Sequence, residues 1–308
     1  MLQWNCDAKD EDMKKIIMTM LAGLLVAACE KPILGEVEDQ KSELGVVENN
    51  IPTKKFTFTV KGDFGNPTFT RAAGYLTADG KDMTDLWVFD YVDGTCVQTL
   101  HQTAGDEAWG KPVMQLAYGS HHVYFVASRG EAPTLDQSSH LLTWERPSDT
   151  FWKDYEVSVV STSNGNRAVT LDRVVTRLRL SMTDEVPANC ATLAVTPNVW
   201  YYGWDYVAGI PASQQQRERS VQVPASYVGT EGQLTMTVYG LSTADEWATD
   251  VTIEARDGNG NVIGSGTIVA APFKSNRSTD YSGPLFGASG SLDISVNDEW
   301  TSAFSGTW

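Results

Sequence analysis

The sequence predicts an all-β protein of two sandwich domains behind an export signal. Three observations carry this. Nearly every apolar stretch beyond residue 53 alternates with period two or is rich in β-branched residues. Turn residues punctuate those stretches at short intervals, as in Ala78-Asp79-Gly80, Val92-Asp93-Gly94 and the run from Asp257 to Asn261. No segment after the N-terminal apolar run keeps helical periodicity over three turns.

The first element is that apolar run. Met13-Lys14-Lys15 precedes a stretch from Ile16 to Ala28 that is apolar or small apart from Thr19. It is too short for a bilayer, which needs roughly 20 residues, and has the layout of a secretory signal. Val26-Ala27-Ala28 are small enough for a signal peptidase cleft, and Cys29 follows at once. A cysteine there resembles the lipobox of bacterial lipoproteins, in which the thiol is acylated and becomes the new N-terminus. Residues 1–28 are thus expected to form the signal peptide, with Met13 as the true start, and Cys29 to be the lipidation site. Glu30 rather than aspartate follows it, which points to the outer membrane. Stable anchoring needs more than one acyl chain, at about 0.8 kcal/mol per buried methylene. Residues 29–53 are acidic and free of aromatics, so they are expected to be a solvated tether.

Strands follow at residues 56–60 (FTFTV), 86–92, 113–117, 122–127, 155–160, 173–182 (RVVTRLRLSM), 192–195, 234–239, 251–255, 262–270 and 292–296 (LDISV). Their number is about twice what one seven-stranded sandwich uses. The N-terminal sandwich is assigned to residues 54–170 and the C-terminal one to 171–308. Strand 173–182, the turn Asp184-Glu185-Val186-Pro187 and strand 192–195 read as a hairpin opening the second domain. No fixed-period repeat is evident.

Composition excludes some functions. The chain has 308 residues, 42% of them hydrophobic, and a formal charge of −16 with no offsetting basic cluster, so nucleic-acid binding is disfavoured. Of four cysteines only Cys96 and Cys190 remain for the folded part, too few for a disulfide framework, and they read as independent buried thiols. G-x-S-x-G, H-E-x-x-H, the phosphate-binding loop and paired C-x-x-C motifs are absent from the sequence, so enzymatic activity is not expected, nor is a cofactor. Adjacent His121 and His122 would face opposite sides of a strand and cannot jointly chelate a metal in regular geometry. Asp257, Asn259 and Asn261 imitate a calcium loop, but Val262 and Ile268 stand where its glycine and glutamate belong, so a hairpin turn is expected.

One cluster invites a binding role. In NVWYYGWDY, Trp200, Tyr202, Trp204 and Tyr206 would share one face of a strand, a row able to stack on sugar rings or equally to be a core or subunit-packing face. Gly203 in its middle would also suit a bulge.

A lipobox at Cys29, then FTFTV, TFTRAAG, DLWVFDY, GSHHVYFVAS, LDRVVTRLRLSM, VPANCATLAVTPN, PFKSNRSTDYSGPLFG and a terminal LDISVNDEW resemble, in order and spacing, the fimbrillin family of type V pili. The resemblance covers nearly the whole mature chain. It implies two transthyretin-like Greek-key β-sandwich domains in an exported lipoprotein of a surface fibre. In polymerising members a protease cuts after an arginine beyond the first strand, that strand leaves, and a strand from the next subunit fills the groove. The matching positions here are Arg71 and Ala72 for the cut, Phe56, Phe58 and Val60 for the removable strand, and Leu292, Ile294 and Val296 for the donor. Anchor and accessory members stay uncut. The implied partners are other fimbrial subunits and the outer membrane through the lipid on Cys29, with host or glycan ligands as a further class. The rival reading is an outer-membrane glycan-binding lipoprotein, motivated by the aromatic row.

Overall fold

Alternation of inward and outward side chains shapes the elements of the structure, a computed structural model that describes residues 51–62 and 83–287 and the backbone of 293–297. The first half of the chain supplies β1 (Thr53–Gly62), β2 (Asp85–Val92), β3 (Thr95–Thr103), β4 (Val113–Ala117), β5 (Gly119–Ser128), β6 (Thr134–Asp136), β7 (Leu141–Thr143), β8 (Thr150–Val159) and β9 (Asn166–Arg173). The second supplies β10 (Val175–Met182), β11 (Cys190–Pro197), β12 (Tyr201–Asp205), β13 (Ile210–Gln214), β14 (Arg219–Gln222), β15 (Thr235–Leu241), β16 (Trp247–Asp257), β17 (Val262–Phe273), β18 (Ser278–Gly283) and β19 (Asp293–Asn297). One short 3-10 helix, Ala225–Tyr227, interrupts them.

The first half forms a continuous sheet in the order β3-β2-β5-β8-β9-β1-β4. β8 and β9 are joined only at Phe151–Arg173 and Trp152–Asp172, and there the sheet folds over on itself. A core fills the fold: Phe56, Phe58 and Val60 of β1 meet Leu86, Val88, Val123, Phe125, Phe151, Val169 and Leu171, all buried.

In the second half two sheets, β14-β11-β16-β17 and β15-β10-β18-β19, face each other across Leu178, Leu180, Leu193, Val195, Ile253 and Phe273. The connectivity repeats that of the first half. β1 lies antiparallel to β4 and parallel to β9, and β10 lies antiparallel to β15 and parallel to β18. Likewise β3-β2-β5-β8 has its counterpart in β14-β11-β16-β17. These are two β-sandwiches of one topology, although the sequence holds no detectable repeat. β19 is an addition to the second, on the outer edge of β18.

Each half also carries an inserted pair, β6–β7 and β12–β13. They join through Leu141–Asp205, Leu142–Trp204 and Thr143–Gly203 into the sheet β13-β12-β7-β6, so the two sandwiches are stitched by main-chain bonds. One expectation is corrected here. β10 and β11 are not a hairpin: β10 pairs with β15 and β18, β11 with β14 and β16. The turn between them arches from one sheet to the other because Val186 is drawn into the core, 1% exposed, where a hairpin would leave it in solvent. The apolar run 173–182 is also divided, with Arg173 ending β9 and Val175 starting β10. At Asp257 the expected hairpin turn is present between β16 and β17, its carboxylate accepting from the amides of Asn259 at 2.9 Å and Asn261 at 2.8 Å.

Candidate functional site

β1 is held on both sides. Its first residues pair with β4 from Thr53–Ala117 to Thr57–Val113, and its later ones with β9 from Thr57–Asn166 to Gly62–Leu171. Three further amides donate outside the ladders: Thr57 to Gly165 O (2.7 Å), Phe58 to Pro112 O and Val60 to Gly110 O (both 3.0 Å). Gly165 permits the close approach, since a Cβ there would collide with the Lys55 carbonyl. Inward, Phe58 meets Phe125 edge-on at 5.2 Å and Tyr155 at 5.9 Å, while the Arg167 guanidinium covers the Phe56 ring at 5.3 Å. Taking this strand away would leave the edges of β4 and β9 unpaired and a trough lined by apolar residues, the two features that another extended chain can satisfy.

The other residues singled out by the sequence are placed as follows. Cys29, Arg71, Ala72 and Leu292 lie outside the described residues. Ile294 and Val296 belong to β19, opposite Tyr281 and Thr279 of β18, on the edge of the second sandwich.

The aromatic row is interior. Trp200, Tyr202, Trp204 and Tyr206 are 0–2% exposed, so they present no face to a sugar in this structure. Trp200 and Tyr202 enter the core of the second sandwich, while Trp204 and Tyr206 enter a third core shared with Phe89, Tyr91, Tyr124 and Val126 of the first. Tyr206 stacks on Phe89 at 3.9 Å, its hydroxyl lies 3.2 Å from that of Tyr91, and its carbonyl accepts from Trp152 Nε1 at 2.9 Å. Burial, foremost, pushes the Tyr206 hydroxyl far above the usual phenol range. The second half of the row, Trp204 and Tyr206, forms the joint between the sandwiches. Sequence reading missed its cover, though a signal exists: β2 and β5 are buried on both faces, so DLWVFDYV and HVYFVA lack the alternation of a half-exposed strand.

Charged groups are arranged as structural ties. Arg173, in the interior, donates to Asp149 through Nε (2.7 Å) and Nη2 (3.1 Å), and through Nη1 to Asn276 Oδ1 across the joint (2.9 Å). His121 Nδ1 lies 2.7 Å from Asp90 Oδ1 and its Nε2 2.9 Å from Ala117 O, tying the end of β4 to β2. Desolvation raises the Asp90 carboxyl above its ordinary range against the opposing bond from His121. His122 is on the opposite face, 3.0 Å from Asp154; with Glu156 these exposed groups offer ligand atoms within 4.8 Å of one another and could hold a cation. Cys96 and Cys190 are free thiols.

No protein-family model and no curated protein matches the chain. Solved structures do. An adhesin candidate from Bacteroides ovatus aligns at TM-score 0.50 with 13% identity over 82% of this chain and 96% of that one. A candidate polysaccharide-binding protein from Bacteroides thetaiotaomicron aligns at TM-score 0.50 with 10% identity, over 79% and 96% of the two chains. The tip fimbrial protein Mfa3 from Porphyromonas gingivalis aligns at TM-score 0.42 with 14% identity, over 79% and 99%. The chain has the fold of the Bacteroides adhesin candidate along nearly the whole length of that protein.

Proposed function

We propose that this protein is a non-enzymatic subunit or accessory protein of a cell-surface fimbria, of the fimbrillin family, exported as a lipoprotein on Cys29. The observation that carries the reading is the setting of β1: an N-terminal strand inside a sheet, bonded on both sides and contributing three core side chains, with Arg71 in the sequence that follows it. In this reading a cut after Arg71 frees β1, and a strand from a neighbouring subunit's C-terminal region, with Leu292, Ile294 and Val296 alternating, takes its place. The shared fold with an adhesin candidate supports a surface role.

The test is the N-terminus and intact mass of the protein recovered from the native cell surface. A chain beginning at Ala72 supports strand exchange. One beginning at acylated Cys29 supports an anchor or accessory member, and an unprocessed N-terminus on a cytoplasmic protein overturns the reading. The glycan-binding alternative loses the feature that motivated it, because the aromatic row is buried. Adhesion by some other part of the surface is compatible with the subunit role.

A further inference from the structure

Two loops of the first sandwich and two edge strands of the second enclose a cavity of about 230 Å³. Residues 130–131 and 146–148 close it from one side, β14 and β15 from the other. Its lining is mainly apolar, with half-buried Val221 on the floor beside the core residues Met236 and Val238. Its charge is contributed by Arg146 and Arg219 against a single carboxylate, Glu131.

Those guanidiniums are unusual in this chain, which carries 39 acidic residues against 23 Lys and Arg. Arg219 donates only to the Glu145 carbonyl at 3.3 Å, and the Glu145 carboxylate is taken by Arg217 at 3.0 Å. Arg146 is exposed and has no hydrogen-bond or ion-pair partner among the described residues. Two neighbouring cations, neither bonded to a carboxylate, beside an apolar floor form a site with unmet demand for an anion.

We propose that this cavity binds one pyranose bearing a carboxylate, the acid on Arg146 and Arg219 and the C–H face of the ring on the apolar lining at Val221. Size, lining and shape select this class. The volume falls below the roughly 300–1,000 Å³ typical of drug-sized ligands, so it takes a single terminal residue and not an oligomer. A bare phosphate would leave the apolar floor uncovered. An extended peptide along the β15 edge would meet residues 130–131 and 146–148, which line the same cavity. The inference rests on the fimbrial-subunit reading and deepens it; display of many copies on a fibre would convert weak single-site binding into avidity.

The test is ligand-detected NMR titration of the full mature chain at low ionic strength with methyl β-D-glucuronide, the methyl α-glycoside of N-acetylneuraminic acid, and neutral methyl β-D-glucoside. At least one acidic glycoside is expected to bind tenfold or more tightly than the glucoside, and the tighter of the two tells a uronate polymer from a sialylated surface. Arg146→Ser, at an exposed position, and Arg219→Ser should each weaken that binding about tenfold, or roughly 1.4 kcal/mol, with unchanged circular dichroism. Equal binding of acid and neutral sugars, no binding, indifference to both substitutions, or displacement of the sugar by an acidic peptide would overturn the proposal. Fibre assembly in the wild-type strain separates the two readings: wild-type protein found in fibres but binding no acidic glycoside sinks this site alone, whereas absence of the wild-type protein from fibres sinks the subunit role.

Discussion

Cleavage after Arg71 should not by itself release β1. Phe56, Phe58 and Val60 are 0–2% exposed. At about 1.5–3 kcal/mol for each fully buried side chain they contribute on the order of 5–9 kcal/mol, before the bonds to β4 and β9 are counted. That is comparable to the whole stability of a domain, about 5–15 kcal/mol. The cut strand should therefore remain seated until another strand displaces it. Phe58→Ala removes a ring packed against Phe125 and Tyr155 and should cost about 3–5 kcal/mol. If that loss falls on the dissociation rate, the nicked strand leaves roughly 150- to 5,000-fold faster. The assay places a specific protease site after Arg71, cuts, and follows retention of the N-terminal fragment by native mass spectrometry and gel filtration. Wild type should keep the fragment and Phe58→Ala should shed it. Immediate loss from cut wild type, or equal retention by the variant, would refute the argument that side-chain burial holds β1.

Three further outcomes are expected. Gly240→Ala should destabilise by about 1–3 kcal/mol in urea denaturation, because its Cβ would stand 2.5 Å from the Trp200 ring, which Phe273 and a bond to Tyr239 O hold in place. Asp149→Ala should cost about 3–5 kcal/mol by leaving the buried Arg173 charge without its carboxylate, read as a fall in the denaturation midpoint. Asp90, raised by burial, binds a proton more tightly in the folded than in the unfolded chain. Its contribution is fullest below the unfolded pKa and is lost as pH rises through the folded one, so the stability advantage of wild type over Asp90→Asn should grow between pH 7 and pH 4, followed by paired urea titrations.

What the sequence disclosed and what it withheld follow from the range of the interactions. β1 was legible because FTFTV alternates and its environment is one-sided, and the β16–β17 turn because Asp257 bonds within its own turn. The arch after β10 was not, since Asp-Glu-Val-Pro suits a hairpin or an arch equally and the choice lies with β15 and β18, strands 48 or more residues beyond Pro187. The aromatic row stayed open between a binding face and a core face for the same reason. Alternation places Trp200 to Tyr206 on one face, but whether Trp204 and Tyr206 meet water depends on Phe89, Tyr91 and Tyr124, 80 or more residues upstream. The repeated topology was hidden because a sandwich needs only inward apolar positions, which many unrelated sequences provide.

The repetition raises the question of why, in the proposed exchange, β1 and not its counterpart β10 should be the strand that leaves, given that both lie between an antiparallel and a parallel neighbour. The difference is in the connections. Just ahead of β10 stands Arg173, locked to Asp149 and to Asn276, and just behind it the arch that buries Val186 and Cys190 in the core. Freeing β10 would require breaking a buried ion pair and emptying part of that core at the same time. Ahead of β1 no such tie exists among the described residues: Thr53 begins at an exposed position, and in the sequence 22 residues with the first arginine of the chain separate Gly62 from Asp85. Inserting the same protease site between β9 and β10 should accordingly leave β10 in place even under partial denaturation that strips β1, and release of both strands at one urea concentration would show that position in the sheet, not the connections, governs exchange.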